Sequence, residues 1–426
     1  MGTIKRTLWT GAAVILALAG GVVALADTGQ IAAPPPAPVR MAPLTADLAT
    51  SQVGLSAPAG ILINAGTGQV LYAKHVLARR YPASIVKLMT SLIALEMVKK
   101  GQLSLHSIVP VSASAFKVAT TPGLSVAYLD QNQRVTLQQM LEFMYVVSAD
   151  DAAVAIADDI AGTETAFAQL MNREARRLGM TGTHYTNASG LQNPREYTDA
   201  RDVVILARYL IRHFPIVLRY ASMPGMYIHP GQYGHNYDQM LNQYPGLDGL
   251  KTGSTNQAGY CFVGTALRGK TRLISVLLGM RSFSDVFQGT AALLDFGFHQ
   301  FRSRPYQAAG RPLGETVRVA GGYATTIAVA PRRAVVLSVP VGRPARIEYS
   351  LSRTSTAAPI RAGQQLGVEN IGIDGHTVLQ VPVYALKSDP RAGLVTKLWR
   401  SLMASAHRGA RNVVRYAEHR LSRLGG

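Results

Sequence analysis

The segment Ser84, Ile85, Val86, Lys87 places a hydroxyl three residues before an amine. A helix-forming run, Leu88 to Lys100, follows it, so we expect both side chains on one helix face, with Cβ atoms about 5 to 6 Å apart. A helix N-terminus favours the negative charge that develops when a hydroxyl attacks a carbonyl. A lysine that has lost its proton can be the base that a serine nucleophile requires. An N-capping serine followed by a solvated lysine fits the same pattern, so this motif alone does not identify an enzyme.

A second lysine and hydroxyl occur together in Lys251-Thr252-Gly253, which we predict at the edge of a strand. The lysine and the hydroxyl could bind a substrate carboxylate, and Gly253 would let a ligand backbone approach closely. An ordinary turn is the alternative for this motif. Between the two motifs, the segment Met144 to Asp151 ends one helical run, begins another and carries Ser148 and Asp150.

The three motifs stand in the order S-x-x-K, then a near relative of S-x-N, then K-T-G, which is typical of penicillin-binding proteins and serine β-lactamases. From about Pro58 to its end the chain resembles a low-molecular-mass penicillin-binding D-alanyl-D-alanine carboxypeptidase. Other segments that carry the resemblance are Pro82 to Thr90, Met171-Asn172, Leu178 to Met180, Asn187 to Leu191, Tyr197 to Asp202, Asp248 to Thr255, Arg272 to Gly279 and Leu294 to Phe298.

The resemblance implies three catalytic residues and no metal or organic cofactor. Ser84 would attack the carbonyl between the two terminal D-alanines of a peptidoglycan stem peptide, and Lys87 would accept its proton. Ser148 would relay a proton between the lysines and the leaving amine. Water would then hydrolyse the acyl-enzyme, and β-lactams would be covalent inhibitors.

The resemblance also implies the substrate-binding residues. Lys251 and Thr252, within the motif that ends at Gly253, would hold the terminal carboxylate of the substrate. The backbone N–H groups of Ser84 and Ser254 would form the oxyanion hole. Asp150 would face the substrate or the catalytic lysine.

Two departures from the family pattern concern this site. The family has Asn where this chain has Asp150, and a carboxylate can only accept hydrogen bonds. Facing Lys87, it would favour the charged ammonium, so we expect weak activity at neutral pH that improves with moderate acid, and a gain for Asp150→Asn. Asp151 could instead take this position.

The family's carboxylate-binding arginine has no counterpart in Phe283 to Gln288, and Arg281 is the nearest candidate.

Three other functions compete with a carboxypeptidase. A serine β-lactamase needs a water-activating carboxylate, usually in a Glu-x-x-Leu-Asn loop, and no such segment lies between Asp150 and Lys251. A D,D-endopeptidase shares the motifs, but such relatives usually lack the β domain and tail. A non-catalytic wall-binding protein stays open because of Asp150.

Composition limits the class of protein. A chain of 426 residues predicts two or three domains, and 48% apolar residues exclude a largely disordered chain. One window, Leu8 to Ala26, approaches the length that crosses a bilayer, which argues against a polytopic membrane protein. The single cysteine, Cys261, excludes an intramolecular disulfide.

The order of segments predicts an exported protein. Lys5 and Arg6 precede the apolar window, which ends in a small-x-small pattern, so residues 1–26 resemble a cleaved signal, with an uncleaved anchor as the alternative. A Pro/Ala-rich linker (27–52), an α/β (α+β) domain with an antiparallel sheet (53–303) and a small all-β domain (304–390) follow.

Charge distribution singles out the tail. The formal net charge is +19, and residues 391–426 hold eight Lys or Arg and one Glu on a helix-periodic pattern of apolar residues. This predicts a basic amphipathic helix on an anionic membrane surface, at the outer face of the cytoplasmic membrane. Docking on the protein's own surface is the alternative. Nucleic acid is disfavoured, because no basic stripe alternates with aromatic residues.

Apolar periodicity predicts the main elements. Helices are predicted at Ser84 to Lys100, Gln138 to Ala161, Glu164 to Leu178 and Asp199 to Phe214. Strands of the first domain are predicted at Gly60 to Asn64, Gln69 to Tyr72, Gly259 to Leu267 and Arg272 to Leu278. Strands of the second are predicted at Thr316 to Val319, Thr325 to Ala328, Ala334 to Val339, Arg346 to Leu351 and Thr377 to Val383.

Overall fold

The computed structural model describes residues 47–229, 231–312 and 314–399. The predicted signal, most of the linker and residues 400–426 of the tail lie outside these ranges. Within them, no helix is both long enough and apolar enough to cross a membrane.

Helices and strands are mixed along the chain up to helix α9 (Phe283–Gln300), and the named elements after α9 are all strands. The helices are α1 (Thr50–Val53), α2 (Lys87–Lys99), α3 (Ala113–Ala119), α4 (Leu137–Val146), α5 (Asp150–Ala161), α6 (Glu164–Leu178), α7 (Ala200–His213), α8 (Ile216–Ala221) and α9 (Phe283–Gln300). The strands up to α9 are β1 (Ala59–Asn64), β2 (Val70–Lys74), β3 (Ile108–Val109), β4 (Val135–Thr136), β5 (Gly225–His229), β6 (Gln232–His235), β7 (Leu247–Thr255), β8 (Gly259–Arg268) and β9 (Thr271–Met280). After α9 come β10 (Phe301–Gln307), β11 (Thr316–Ala320), β12 (Thr326–Pro331), β13 (Val335–Pro340), β14 (Ile347–Leu351), β15 (Ser355–Ala357), β16 (Gln365–Ile373) and β17 (His376–Ala385).

A five-stranded antiparallel sheet with the order β2-β1-β9-β8-β7 forms the centre of the first domain. Its strands are buried on both faces: Ile61 and Ile63 belong to one apolar core and Leu62 to the other. Helix α7 packs on one side of β1 and β9, while α9 packs on β8 and β9. Because successive side chains point to opposite faces, a doubly covered strand is an uninterrupted apolar run. The predicted antiparallel sheet is confirmed.

Helix α5 lies inside the helical layer and contacts α2, α3, α4 and α6. Four of its alanines, Ala152, Ala153, Ala155 and Ala157, are fully buried. Alanine has the highest helix propensity and a short side chain, so neighbouring helices can approach closely. The capping box of Thr136 and Gln139 starts the preceding helix, α4.

Residues from β10 onward form the predicted all-β part. Strands β10 and β13 pair, and a six-stranded sheet has the order β14-β16-β17-β12-β11-β15. Two small apolar cores stabilise this part, one around Val329 and Val383 and the other around Leu337 and Ile371. The predicted all-β character is confirmed.

A buried polar cluster joins the two parts. The side chain of Gln69 donates through Nε2 to the Ser338 carbonyl at 2.7 Å and accepts from the Ser338 N–H at 2.7 Å. The Asn64 Nδ2 donates to the Ser338 Oγ at 2.9 Å. Gln69 therefore satisfies both backbone groups of a buried residue in β13.

Gln69→Ala should destabilise the protein, because it leaves the N–H and the carbonyl of Ser338 buried without these partners. At about 1 to 3 kcal/mol per unsatisfied group, we expect a loss of about 2 to 6 kcal/mol in the free energy of unfolding. Thermal unfolding monitored by circular dichroism measures it. Gln102→Ala, at an exposed turn, is the matched control and should leave the midpoint unchanged. Equal midpoints for both variants would contradict the assigned role of Gln69.

Candidate active site

Ser84 lies in a short 3₁₀ turn, Ala83–Val86, immediately before α2. The predicted helix from Ser84 is therefore wrong at its first turn, since the α-helix begins at Lys87. The turn still leaves a spacing of three residues between the two side chains. The Nζ of Lys87 donates to the Ser84 Oγ at 2.9 Å. Lys87 is 1% exposed, whereas Ser84 is partly exposed.

The Lys87 amine has three hydrogen-bond acceptors. Besides Ser84, these are the Asp150 Oδ1 at 2.6 Å and the Ser189 carbonyl at 2.8 Å. An ammonium group has three N–H donors, so this environment matches the charged form. The Asp150 side chain is only 7% exposed. Lys87 and Asp150 therefore form a buried ion pair beside the Ser84 hydroxyl.

Helices α4 and α5 are interrupted at Val147 to Ala149, so the predicted helix from Gln138 to Ala161 is two helices. Ser148 has a φ of 58°, in the left-handed region, which does not continue an α-helix. Its side chain is buried, and the Lys251 Nζ donates to its Oγ at 3.1 Å. Ser148 thus connects the start of α5 to β7.

Asp150 and Asp151 have opposite surroundings although they are adjacent. The fully buried carboxylate of Asp151 accepts hydrogen bonds from the N–H groups of Ala127, Leu129 and Ala152. Burial raises the pKa of Asp151, and these N–H groups lower it in part. Asp151 stabilises a loop, so the residue that contacts the lysine is Asp150.

Lys251, Thr252, Gly253 and Ser254 lie on β7, one of the two edge strands of the sheet. Lys251 and Thr252 are buried, and Ser254 is exposed. Burial, followed by the charge of Lys87, lowers the pKa of Lys251 well below its ordinary value. Asp150 and Asp238 act in the opposite direction.

Gly253 lies against the turn that carries Ser84. A Cβ at this position would lie 3.1 Å from the Ser84 N and 3.2 Å from the Ile85 N. The backbone of the 3₁₀ turn therefore lies against Gly253, and the approach of a ligand backbone to this glycine stays a prediction. The absence of a side chain lets the turn that carries Ser84 lie against β7.

Two groups at this site were missed in the sequence. The Ser189 acceptor is a backbone carbonyl, which no side-chain pattern reveals. Asp238 is 6% exposed, and burial raises its pKa to about 7 despite the Met240 N–H and Lys251, which lower it. Nearness to K-T-G along the chain would not have identified Asp238, because Asp248 lies closer and pairs with Arg272. Arg281 is exposed just beyond β9.

No group of three or more His, Cys, Asp or Glu side chains comes together as a candidate metal site in the described part of the chain. The arrangement instead offers a hydroxyl, two buried lysines and an edge strand. A hydroxyl beside an amine can act as a nucleophile, and a second lysine on an adjacent strand can bind an anion.

Comparison with known proteins identifies two matching family models. The D-alanyl-D-alanine carboxypeptidase model matches residues 46–282, and the model of the C-terminal domain of penicillin-binding protein 5 matches residues 301–391. The chain is 29% identical over 360 residues to the D-alanyl-D-alanine carboxypeptidase DacF of Bacillus subtilis, covering 83% of this chain and 91% of that protein. It is 30% identical over 353 residues to DacA of Escherichia coli, covering 81% and 86%.

Solved structures show the same similarity. Penicillin-binding protein 5 from Haemophilus influenzae superposes with a TM-score of 0.69 at 28% identity, over 79% of this chain and 98% of that one. Penicillin-binding protein D2 from Listeria monocytogenes, in its ampicillin-bound form, superposes with a TM-score of 0.52 at 32% identity, over 57% and 98%. The first covers both the sheet domain and the β domain. The chain belongs to the D-alanyl-D-alanine carboxypeptidase family of serine hydrolases.

Proposed function

We propose that Ser84 is the nucleophile that attacks the carbonyl between the two terminal D-alanines of a peptidoglycan stem peptide. A bond forms from the Ser84 Oγ to the carbonyl carbon, the C–N bond breaks, and D-alanine leaves with a proton on its amine. Water then hydrolyses the ester. The observation that carries this proposal is the 2.9 Å contact between the Lys87 Nζ and the Ser84 Oγ.

Lys87 accepts the Ser84 proton in this proposal. An ammonium has no lone pair, so only the free-amine form of Lys87 can act as a base. The carboxylate of Asp150 accepts a hydrogen bond from the Nζ at 2.6 Å, a charge-assisted contact that stabilises the ammonium. Asp150 thereby limits the rate at which Ser84 is activated.

The remaining residues bind the substrate and return the proton. Lys251 and Thr252 hold the terminal carboxylate, and the contact between Lys251 and Ser148 supports a proton relay to the leaving amine. The Ser84 and Ser254 N–H groups stabilise the oxyanion, with Gly253 keeping the turn close to β7.

β-Lactams should acylate Ser84, as the ampicillin-bound relative from Listeria suggests. Intact-mass spectrometry after incubation with benzylpenicillin should show one covalent adduct on the wild-type protein and none on Ser84→Ala, because the nucleophilic oxygen is removed. Ser222→Ala, at an exposed position, is the control and should be labelled like the wild type. An unlabelled wild-type protein would refute the proposed function.

Asp150→Asn should raise the rate of acylation at neutral pH. A charged acceptor stabilises an ammonium by about 1 to 2 kcal/mol more than a neutral amide does, so we expect roughly a tenfold gain. The measurement is the rate of D-alanine release from a soluble peptide. A slower Asp150→Asn would show instead that the carboxylate is required. Ser112, Ser114 and Asp158 form a separate polar cluster, and Asp158→Asn is the control for a general loss of negative charge.

We propose further that the protein is exported, does not have nucleic acid as a partner, and associates with an anionic membrane surface through its tail. Residues 394–399 are helical, and Leu394, Val395, Leu398 and Trp399 are exposed. Exposed apolar residues next to many arginines are typical of helices that lie in the headgroup region. Arg391 and Ala392 are bonded to the β domain, which fixes where the tail begins.

Removing residues 393–426 should release the mature protein from vesicles that contain phosphatidylglycerol, without changing hydrolysis of a soluble peptide. Each Lys or Arg near such a surface contributes about 1 kcal/mol, and salt should weaken the binding. Vesicle sedimentation at low and high salt measures it. Equal sedimentation of the full-length and truncated proteins would mean that the tail does not attach the protein to the membrane.

A further inference from the structure

Two glycines place separate segments of the chain against the backbone of Ser84. A Cβ on Gly190 would lie 3.0 Å from the Ser84 N, and a Cβ on Gly253 would lie 3.1 Å from the same atom. Gly253 belongs to β7, whereas Gly190 follows Ser189, whose carbonyl accepts from Lys87. The segment after Gly190 and the end of β7 therefore form two walls beside Ser84.

Three side chains bridge these walls at the C-terminal end of β7. The Thr255 Oγ1 donates to the Gln192 Oε1 at 2.9 Å. The Gln192 Nε2 in turn donates to the Gln257 Oε1 at 2.7 Å. Gln192 lies two residues after Gly190, and Gln257 lies in the turn between β7 and β8. Both glutamines are exposed, so a molecule bound between the walls can reach them.

The groups that this bridge leaves free are hydrogen-bond donors. A primary amide has one oxygen acceptor and two N–H donors. Both amide oxygens already accept a hydrogen bond within the bridge. The second N–H of the Gln192 amide and both N–H groups of the Gln257 amide have no partner within the described residues. The bridge therefore suits a ligand that brings an oxygen acceptor.

The walls next to the bridge carry no charge of their own. Residues 187–194 and 254–258 contain no Lys, Arg, His, Asp or Glu. An ammonium group has only donors, so at the bridge it would meet the unpartnered N–H groups and no carboxylate from either segment. A carbonyl or carboxylate oxygen would instead accept from those N–H groups. The bridge therefore favours an acceptor over an ammonium group.

The proposed direction of the peptide brings one residue of the substrate to this bridge. In the proposed function the terminal carboxylate binds to Lys251 and Thr252, and the scissile carbonyl lies at the Ser254 N–H. An extended chain advances about 3.3 Å per residue, so a peptide that follows β7 continues past Ser254 toward Thr255. The residue that precedes the two D-alanines therefore reaches the bridge.

We propose that Gln192 and Gln257 form the subsite for the side chain of the residue that precedes D-Ala-D-Ala. This subsite selects a side chain that ends in an oxygen acceptor, such as an acyl or a carboxyl group, over one that ends in an ammonium group. The inference rests on the proposed function, which sets the direction of the peptide, and it names the class of stem peptide that the site prefers.

Two peptides that differ by a single acetyl group test this selection. In Nα,Nε-diacetyl-L-lysyl-D-alanyl-D-alanine the lysine side chain ends in an amide carbonyl, whereas Nα-acetyl-L-lysyl-D-alanyl-D-alanine keeps the ammonium at about pH 7. The measurement is kcat/KM for D-alanine release by the full-length mature protein. Since one hydrogen bond changes an affinity by about two- to tenfold, we expect the wild type to favour the diacetyl peptide by about that factor.

Variants of Gln192 assign the preference to the bridge. Gln192→Ala removes the amide, so the preference for the diacetyl peptide should fall. Gln192→Glu keeps an acceptor for Thr255 but replaces the N–H groups by a negative charge, so it should favour the ammonium peptide. Such a reversal raises one rate while it lowers the other, which loss of folding cannot produce. Gln169→Glu adds the same charge at an exposed position of α6 and is the matched control, which should keep the wild-type preference.

An unchanged preference in both Gln192 variants, or a reversed preference in Gln169→Glu, would overturn the proposal. Equal kcat/KM for the two peptides with the wild type would also overturn it, yet would leave the proposed function intact, because both peptides would still be cleaved. The proposed function fails separately, if the wild type releases D-alanine from neither peptide and benzylpenicillin leaves it unlabelled.

Discussion

Lys87 and Lys251 are 1% and 3% exposed, and like charges in one site that excludes water repel each other. Each lysine must therefore either lose its proton or have a negative partner. Asp150 contacts Lys87 directly, and Asp150, followed by Asp238, also supports the charge of Lys251. The four groups come from α2, β7, α5 and the turn before β7, so their mutual placement depends on the whole first domain.

The first turn of helix α5 carries two carboxylates that contact different parts of the domain. Consecutive residues on a helix differ by about 100° in direction, so Asp150 and Asp151 point to different neighbours. Asp150 reaches Lys87, while Asp151 binds the N–H groups of the loop at Ala127 and Leu129. The alanines that follow let this helix pack among four others, which brings its N-terminus beneath α2.

The position of β7 at an edge of the sheet places its lysine motif beside the turn that carries Ser84. Its one strand neighbour is β8, and its other side faces the turn that carries Ser84. Gly253 allows this close approach, so Ser84 and the pair Lys251-Thr252 lie on adjacent backbones. This edge strand therefore carries Lys251 beside the turn that holds the Ser84 hydroxyl.

The sequence by itself determined the family, the antiparallel sheet, the all-β second part and the three motifs, because these depend on residue type, period and order along the chain. It failed to predict α9, in which Gly289 and Gly297 weaken the helical pattern. A Cβ on either glycine would lie within 2.9 Å of a leucine side chain of the sheet. Close packing of α9 on the sheet therefore requires glycine at these two positions, and the same glycines weaken the apolar pattern by which a helix is predicted. Strand β16 was missed for a similar reason, since Gly367, Glu369 and Gly372 interrupt its apolar run. Only the tertiary structure decided that Asp150 and not Asp151 contacts Lys87, that a Ser189 carbonyl completes its hydrogen bonds, and that Asp238 is buried near Lys251. Burial and the approach of distant charges arise from packing between elements far apart in the chain, and no local pattern of residues encodes them.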